Sequence, residues 1–175
     1  NIALPALTVS LGVTLSQVKW VILSYLFSIT CLLLPFGRLS DHYGRKRIFM
    51  FGFFTFTTGS FFCALSPTLG ALIASRVVQG VGAAMLMANG PAIITTAFPG
   101  NERGKALGTL AMVVSAGLIS GPTIGALLVN EWGWRSIFMV NLPVGIAGLF
   151  LARKCISKDR RPKERLPFDW RGALL

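Results

Sequence analysis

The sequence predicts an all-α fold, a polytopic bundle of membrane-spanning helices, and its composition carries that prediction. Of the 175 residues, 53% are hydrophobic and 13% are charged, whereas a soluble domain carries about 25% charged residues. The formal charge is nevertheless +11, from 17 Lys and Arg against 6 Asp and Glu. A basic balance can indicate a nucleic-acid-binding protein, but such a protein does not need long uncharged runs. We therefore expect a lipid bilayer, and no nucleic acid, around this chain.

Five stretches of 17 to 30 residues are uncharged or nearly so. About 20 apolar residues are needed to cross a hydrocarbon core of about 30 Å. One buried helix in a soluble protein would explain one such run, but not five in a chain of this length. The predicted spans are residues 18–35, 48–65, 69–98, 106–129 and 136–152.

Both ends of the sequence continue an apolar pattern. Residues 1–5 have the composition of the last turn of an earlier helix, and residues 172–175 that of the start of another. Between the last predicted span and residue 172 lies a basic connection, residues 153–171. We therefore expect a fragment of a longer membrane protein, with residues 1–152 forming one half-bundle.

The charges predict the orientation of the spans. The loops 37–47, 99–105 and 153–171 carry +3, +1 and +5, whereas the alternate loops are nearly neutral. Because positive loops stay on the cytoplasmic side, these three are predicted to be cytoplasmic, in a plasma membrane (the inner membrane of a bacterium). Three tryptophans lie at the ends of the spans away from the basic loops, where interfacial aromatic residues are expected: Trp20, Trp132 and Trp134.

The loop at 37–47 has a specific pattern. It reads Gly-x-Leu-x-Asp-x-x-Gly-Arg-Lys-Arg from Gly37 onward, with one acid, Asp41, among four cations. On physical grounds alone it could be a positively charged topological signal with an incidental acid. The pattern resembles the signature between the second and third helices of the major facilitator superfamily. The resemblance implies that four residues form a conformational latch that holds two halves of a transporter together: Gly37, Asp41, Gly44 and Arg45.

Arg76 is the one charge inside the longest apolar stretch. A cation at that depth costs at least about 2.5–3.5 kcal/mol, so a cavity or a partner is expected, with outward snorkelling as the alternative. Gln79 and Gly80 follow on the same helix face, which suits either a water-accessible cavity or close packing. The pattern Arg-x-x-Gln-Gly-x-Gly-Ala-Ala also resembles the fourth helix of the same superfamily. That resemblance implies that Arg76 and Gln79 take part in proton coupling, by tuning a carboxylate outside the five spans.

The stretch 106–129 carries glycines at every fourth position, which form one stripe of small residues on a helix. A proline within it removes a backbone hydrogen bond and predicts a kink or hinge. A simple packing motif is the alternative to a functional one. Within the superfamily, the pattern Gly-x-x-x-Gly-Pro-x-x-Gly resembles the antiporter signature of the fifth helix, although Ala126 stands where a second glycine often follows. The residues concerned are Gly117, Gly121, Pro122 and Gly125.

The resemblance implies a function. The sequence around Trp132 resembles the entry to the sixth helix of drug exporters, and residues 168–175 resemble the extra helix of their fourteen-helix branch. We therefore expect export of amphipathic drugs or toxic small molecules by proton antiport and alternating access, with no cofactor beyond the proton gradient. The expected partners are the small-molecule substrate, protons and the remainder of the transporter. Tyr25 and Ser28 are candidates for the substrate cavity, with interhelical packing as the alternative.

The sequence leaves two other functions open. One is proton-linked uptake of a nutrient or metabolite, against which the Gly121-Pro122 pattern argues. The other is a polytopic membrane enzyme or scaffold. The sequence shows no cluster of His, Cys and carboxylates in or beside the spans that would support catalysis or a metal site. We therefore expect no enzymatic activity and no metal.

Overall fold

A computed structural model describes residues 3–156, with side chains from Pro5 onward. The segment 157–171 and residues 172–175, both assigned above, lie outside the described residues. Within residues 3–156, seven helices follow one another, and five spans built from them are long and apolar enough to cross a membrane, which confirms the all-α fold class. The helices are α1 (Ala3–Leu11), α2 (Leu15–Tyr43), α3 (Arg45–Leu65), α4 (Leu69–Ala97), α5 (Arg103–Trp132), α6 (Ser136–Met139) and α7 (Asn141–Cys155).

Four of the five segments extend beyond the uncharged stretches, and α4 begins at the predicted residue and ends one residue earlier, because local signals, rather than hydropathy, decide where helices begin and end. Helix α2 begins at Leu15, three residues before the predicted span, because Thr14 and Gln17 form a reciprocal capping box. Helix α4 begins where the Thr68 hydroxyl accepts a hydrogen bond from the Ala71 N–H, at 3.3 Å. The apolar stretches therefore locate the spans, and the caps set the helix ends.

The prediction of a loop at residues 37–47 is wrong, because helices occupy nearly all of this segment. Helix α2 continues to Tyr43 and α3 begins at Arg45, so that Gly44 alone separates two helices. Gly44 has φ +103°, a conformation that L residues with side chains rarely adopt. The side chains of the motif therefore project from two helix ends and not from a flexible loop.

The last predicted span, 136–152, is also interrupted. Val140 separates α6 from α7. Pro143 lacks an N–H for the carbonyl of Met139, and its ring crowds that carbonyl, which explains the break at this point. The two helices together still form one span-capable segment, Ser136–Cys155.

Helix α4 lies at the centre of the packing, against α3 on one side and α2 on the other, while α7 packs on α3. The interior holds polar side chains, namely Ser28, Ser60, Gln79 and Asn89, beside a larger number of buried apolar ones. Large apolar side chains point outward, among them Leu34 at 78% exposure and Ile119 at 79%. Large apolar side chains on the outside suit contact with lipid, and the buried small residues let membrane helices approach closely.

An apolar core cluster closes one end of the bundle. Antiparallel order brings the end of α1, the start of α2, the end of α3 and the start of α4 to this same end. Trp134 is 4% exposed there, whereas Trp20 and Trp132 are 61% and 74% exposed. The interfacial interpretation of Trp134 is therefore wrong, because its ring packs in the core and its Nε1–H donates to the Ser10 hydroxyl at 3.0 Å. The cluster comprises Leu7, Val18, Val21, Cys63, Ala64, Leu72, Trp134 and Phe138.

Gly59 is expected to be essential for the contact between α3 and α4. A Cβ at this position would lie 2.6 Å from the Gln79 backbone nitrogen and 2.7 Å from its Cα. Backbone atoms cannot move aside as a flexible side chain can, so we expect Gly59→Ala to lower the free energy of unfolding by about 1–3 kcal/mol. The measurement is the thermal unfolding midpoint of the purified protein in detergent.

Gly70→Ala is the matched control. A Cβ at Gly70 meets nothing within 4 Å, and alanine favours a helix over glycine by up to about 1 kcal/mol. The two substitutions should therefore shift the midpoint in opposite directions. An unchanged or higher midpoint for Gly59→Ala would contradict the close approach of α3 and α4.

Candidate functional site

Arg76 faces the interior of the bundle. Its Nε–H donates to the Val21 carbonyl of α2 at 3.1 Å, and its Nη1 donates to Gln79 Oε1 at 2.7 Å. The guanidinium also lies over the Tyr25 ring, 4.3 Å from the centroid, and 5.6 Å from the centroid of Phe138. Both distances are within the range of cation–π attraction. The outward snorkelling alternative is therefore not what the structure shows.

Gln79 continues this network into α3. Its side chain is 1% exposed, and its Nε2–H donates to the Ser60 hydroxyl at 2.6 Å. Ser60 in turn donates to the Phe56 carbonyl at 2.9 Å. The Gln79 Oε1 also accepts from the Cys63 thiol at 3.9 Å, so donors on one side of the amide and the Ser60 acceptor on the other determine its orientation. We call these residues the Arg76 cluster: Tyr25, Ser60, Arg76, Gln79 and Phe138.

Tyr25 and Ser28 lie at the interface of α2 and α4. Ser28 is 7% exposed, and its hydroxyl donates to the Ser24 carbonyl at 2.7 Å. A Cβ at Gly80 would lie 2.7 Å from the Ser28 Cβ and 2.9 Å from the Tyr25 carbonyl. These contacts favour the packing alternative for Ser28 and the close-packing alternative for the Gly80 face. A role of Tyr25 and Ser28 in a substrate cavity stays a prediction.

The positive charge of Arg76 has only neutral partners in the described part of the chain. Its acceptors are a carbonyl and an amide oxygen, and its other contacts are two aromatic faces. The one ion pair found among residues 3–156 joins Asp41 and Arg45. A cation held in this way can stabilise a negative charge brought near it, since Coulomb attraction is stronger in a low-dielectric interior. A carboxylate or an anionic group can therefore be stabilised beside Arg76.

A second cluster lies where α2 meets α3. The Arg45 Nε and Nη2 donate to Asp41 Oδ1 at 3.1 and 2.9 Å, and the Nη1 donates to the Ala92 carbonyl of α4 at 3.0 Å. Arg45 thus joins the ends of three helices. Gly37 has open space around it, and Gly44 supplies the turn. We call Asp41, Arg45 and the Ala92 carbonyl the Arg45 cluster. Contact of this cluster with a second half-bundle stays a prediction.

The two clusters lie toward opposite ends of α4. Arg76 and Ala92 are 16 positions apart in this helix, which corresponds to about 24 Å at 1.5 Å per residue. That distance is most of the thickness of a hydrocarbon core. One helix, α4, therefore contributes to both candidate sites.

The glycine stripe of α5 makes no close contact in the described chain. A Cβ at Gly117, Gly121 or Gly125 would meet nothing within 4 Å, and no residue of α5 is buried. Pro122 lies inside the helix, which runs through it from Arg103 to Trp132. The structure thus leaves this face open and does not bring it to either cluster.

Four participants were missed by the sequence reasoning: Ser60, Cys63, Phe138 and the Val21 carbonyl. Ser60 is one of several small polar residues within an apolar span, which is the signal that could have identified it. Phe138 and the Val21 carbonyl carry no such signal, because a core phenylalanine and a backbone carbonyl look the same in any helix. In residues 3–156, no group of three His, Cys, Asp or Glu side chains could hold a metal ion.

Comparison with known proteins decides the family. The sequence profile of the Major Facilitator Superfamily matches residues 1–173. The chain belongs to the Major Facilitator Superfamily. Members of this superfamily are transporters and not enzymes, and they generally use ion gradients and no cofactor. The chain accordingly belongs to a multi-pass membrane protein.

Curated relatives match the chain along 95–100% of its length. It is 43% identical over 175 residues to the riboflavin transporter RibZ of Clostridioides difficile, covering 100% of this chain and 38% of RibZ. It is 39% identical over 176 residues to the multidrug resistance protein Stp of Mycobacterium tuberculosis, covering 100% and 33%. The methylenomycin A resistance protein of Streptomyces coelicolor is 35% identical over 167 residues, covering 95% and 35%. The chain therefore spans about a third of the length of these relatives.

Proposed function

We propose that this chain is the amino-terminal half-bundle of an exporter that expels amphipathic drugs or toxic small molecules in exchange for protons. The observation that carries the direction is the Gly121-Pro122 pattern of α5, which resembles the antiporter signature. The identity with Stp, a protein named for multidrug resistance, supports it. The protein resides in the bacterial inner membrane, with the basic segments 37–47, 99–105 and 153–171 on the cytoplasmic side.

The two clusters have different roles in this proposal. The Arg76 cluster couples protons to substrate, because its positive charge stabilises the deprotonated form of a carboxylate on another part of the transporter or on the substrate. The Arg45 cluster, with Gly37 and Gly44, forms the conformational latch on the cytoplasmic side. The open stripe of Gly117, Gly121 and Gly125 receives a helix from the remainder of the protein, and Pro122 adjusts its angle. The two half-bundles then expose a central cavity alternately to each side.

Proton-linked transport of a metabolite is the second candidate. The identity of 43% with RibZ, a protein named as a riboflavin transporter, favours it. Stp and RibZ are both similar over the whole chain, so that similarity alone does not separate the two functions.

Direction of transport separates them. We expect inverted membrane vesicles that contain the full-length protein to accumulate a fluorescent amphipathic cation when respiration acidifies their interior, and substrate addition to release protons from the vesicles. A protonophore should abolish both signals, and vesicles without the protein are the control. Accumulation only in right-side-out vesicles, or transport of riboflavin without any transport of drugs, would contradict drug export and support the second candidate.

A further inference from the structure

Lys46 makes a contact that neither cluster accounts for. It lies in the first turn of α3, next to Arg45, and is half-buried. Its ammonium donates to the Arg153 carbonyl at 2.9 Å and also to the Ile156 carbonyl. Both acceptors belong to the end of α7, more than 100 residues further along the chain. The contact therefore joins the α2–α3 junction to the last helix of the described chain.

The chemistry of this contact is that of a helix cap supplied from another helix. The last carbonyls of an α-helix have no partner within the helix, and a cation near them also interacts favourably with the helix dipole. Helix α7 ends at Cys155, and the Ile156 N–H donates to the Ala152 carbonyl at 3.1 Å. Lys46 satisfies two further carbonyls at this end. Its three donors suit such a position, since an ammonium can serve several acceptors at once.

The adjacent residues of α3 serve different helices. Arg45 contacts the end of α2 and the Ala92 carbonyl of α4, whereas Lys46 contacts the end of α7. One turn of α3 thus contacts three other helices. Arg47, the next cation, is exposed and makes none of these contacts.

We propose that Lys46 is a positioning residue of the transport cycle, which holds the end of α7 to the α2–α3 junction so that both move together. This proposal rests on the proposed function only in requiring alternating access. Loss of the contact should let the last turn of α7 open and should slow the conversion between outward-facing and inward-facing states. The maximal transport rate should therefore fall while the KM for the substrate stays the same, because Lys46 lies in the first turn of α3, well away from the Arg76 cluster.

Cys155 is a native reporter for this contact. It is exposed and lies in the last turn of α7, between the two acceptors of Lys46. The experiment uses the full-length protein in inverted vesicles with Cys31 and other accessible cysteines replaced. It measures the rate at which a membrane-impermeant maleimide modifies Cys155, together with the rate and KM of transport. The variants compared are Lys46→Ala, Lys46→Arg and Arg47→Ala.

We expect Lys46→Ala to raise the modification rate of Cys155 by up to about tenfold, the limit that corresponds to the loss of one charge-assisted hydrogen bond. The maximal transport rate should fall several-fold, and Lys46→Arg should restore both values, since a guanidinium can also donate to carbonyls. Arg47→Ala removes the same charge and should change neither.

Three results would overturn the proposal. The first is an equal effect of Lys46→Ala and Arg47→Ala, which would indicate a general effect of charge. The second is an unchanged Cys155 rate, and the third is a raised Cys155 rate with normal transport. A protein that transports substrate without proton exchange would contradict the proposed function instead, and the Lys46 comparison would still be decided by Cys155 and the transport rate.

Discussion

Replacing Arg76 with alanine is expected to abolish proton coupling in the full-length transporter. The substitution removes the donors to Val21 and Gln79 and the cation between Tyr25 and Phe138. A hydrogen bond to a charged group contributes about 1.5–3 kcal/mol, and 1.4 kcal/mol corresponds to a factor of ten. Substrate-induced proton release should therefore fall at least about tenfold, measured with a pH-sensitive dye in vesicles that contain equal amounts of protein.

Two further variants separate coupling from folding. Arg76→Lys keeps the charge but loses the planar group that stacks on Tyr25 and donates in two directions. It should restore part of the proton release. Gln79→Leu keeps Arg76 but removes the link to Ser60, and should reduce coupling less than Arg76→Ala. Normal proton release in a folded Arg76→Ala protein would show that Arg76 has no part in coupling.

Replacing Asp41 with asparagine is expected to impair transport strongly and stability hardly at all. The Asp41 side chain is 63% exposed, and its ion pair with Arg45 joins positions i and i+4 across Gly44. Exposed pairs of this kind contribute about 0.3–0.5 kcal/mol, and the Arg45 bond to the Ala92 carbonyl is independent of Asp41. A loss of transport of tenfold or more would then have to come from contacts with the remainder of the transporter.

The measurement pairs transport with the thermal unfolding midpoint of the same protein. Insertion and yield of Asp41→Asn should match those of the unsubstituted protein. Glu102→Gln is the matched control, since it removes an exposed acid from another basic segment. Undiminished transport by Asp41→Asn would exclude Asp41 from the latch, and equal losses in both variants would indicate a general effect of charge.

Predictions from the sequence agree with the structure where they rest on residues that are neighbours along the chain. Apolar runs predicted five membrane spans, and residues 3–156 contain five span-capable segments, because hydropathy depends only on neighbours along the chain. The ends of α2 differed from the predicted span, since the Thr14–Gln17 capping box and the φ of Gly44 depend on backbone geometry. Pro143 is apparent in the sequence, but the break that it causes at Val140 could be located only once the bounds of α6 and α7 were known.

The candidate sites also divide into features that residue order determines and features that helix packing determines. The sequence by itself determined that Arg76 lies within an apolar span and that Asp41 and Arg45 lie four positions apart, because these are facts of order along the chain. Only the tertiary structure decided that Arg76 has neutral partners and that Lys46 caps α7. The reason is physical: these contacts depend on the rotation of each helix about its axis and on the close approach that Gly59, Gly80 and Gly82 permit. Rotation and approach are set by packing between helices, which no single segment specifies.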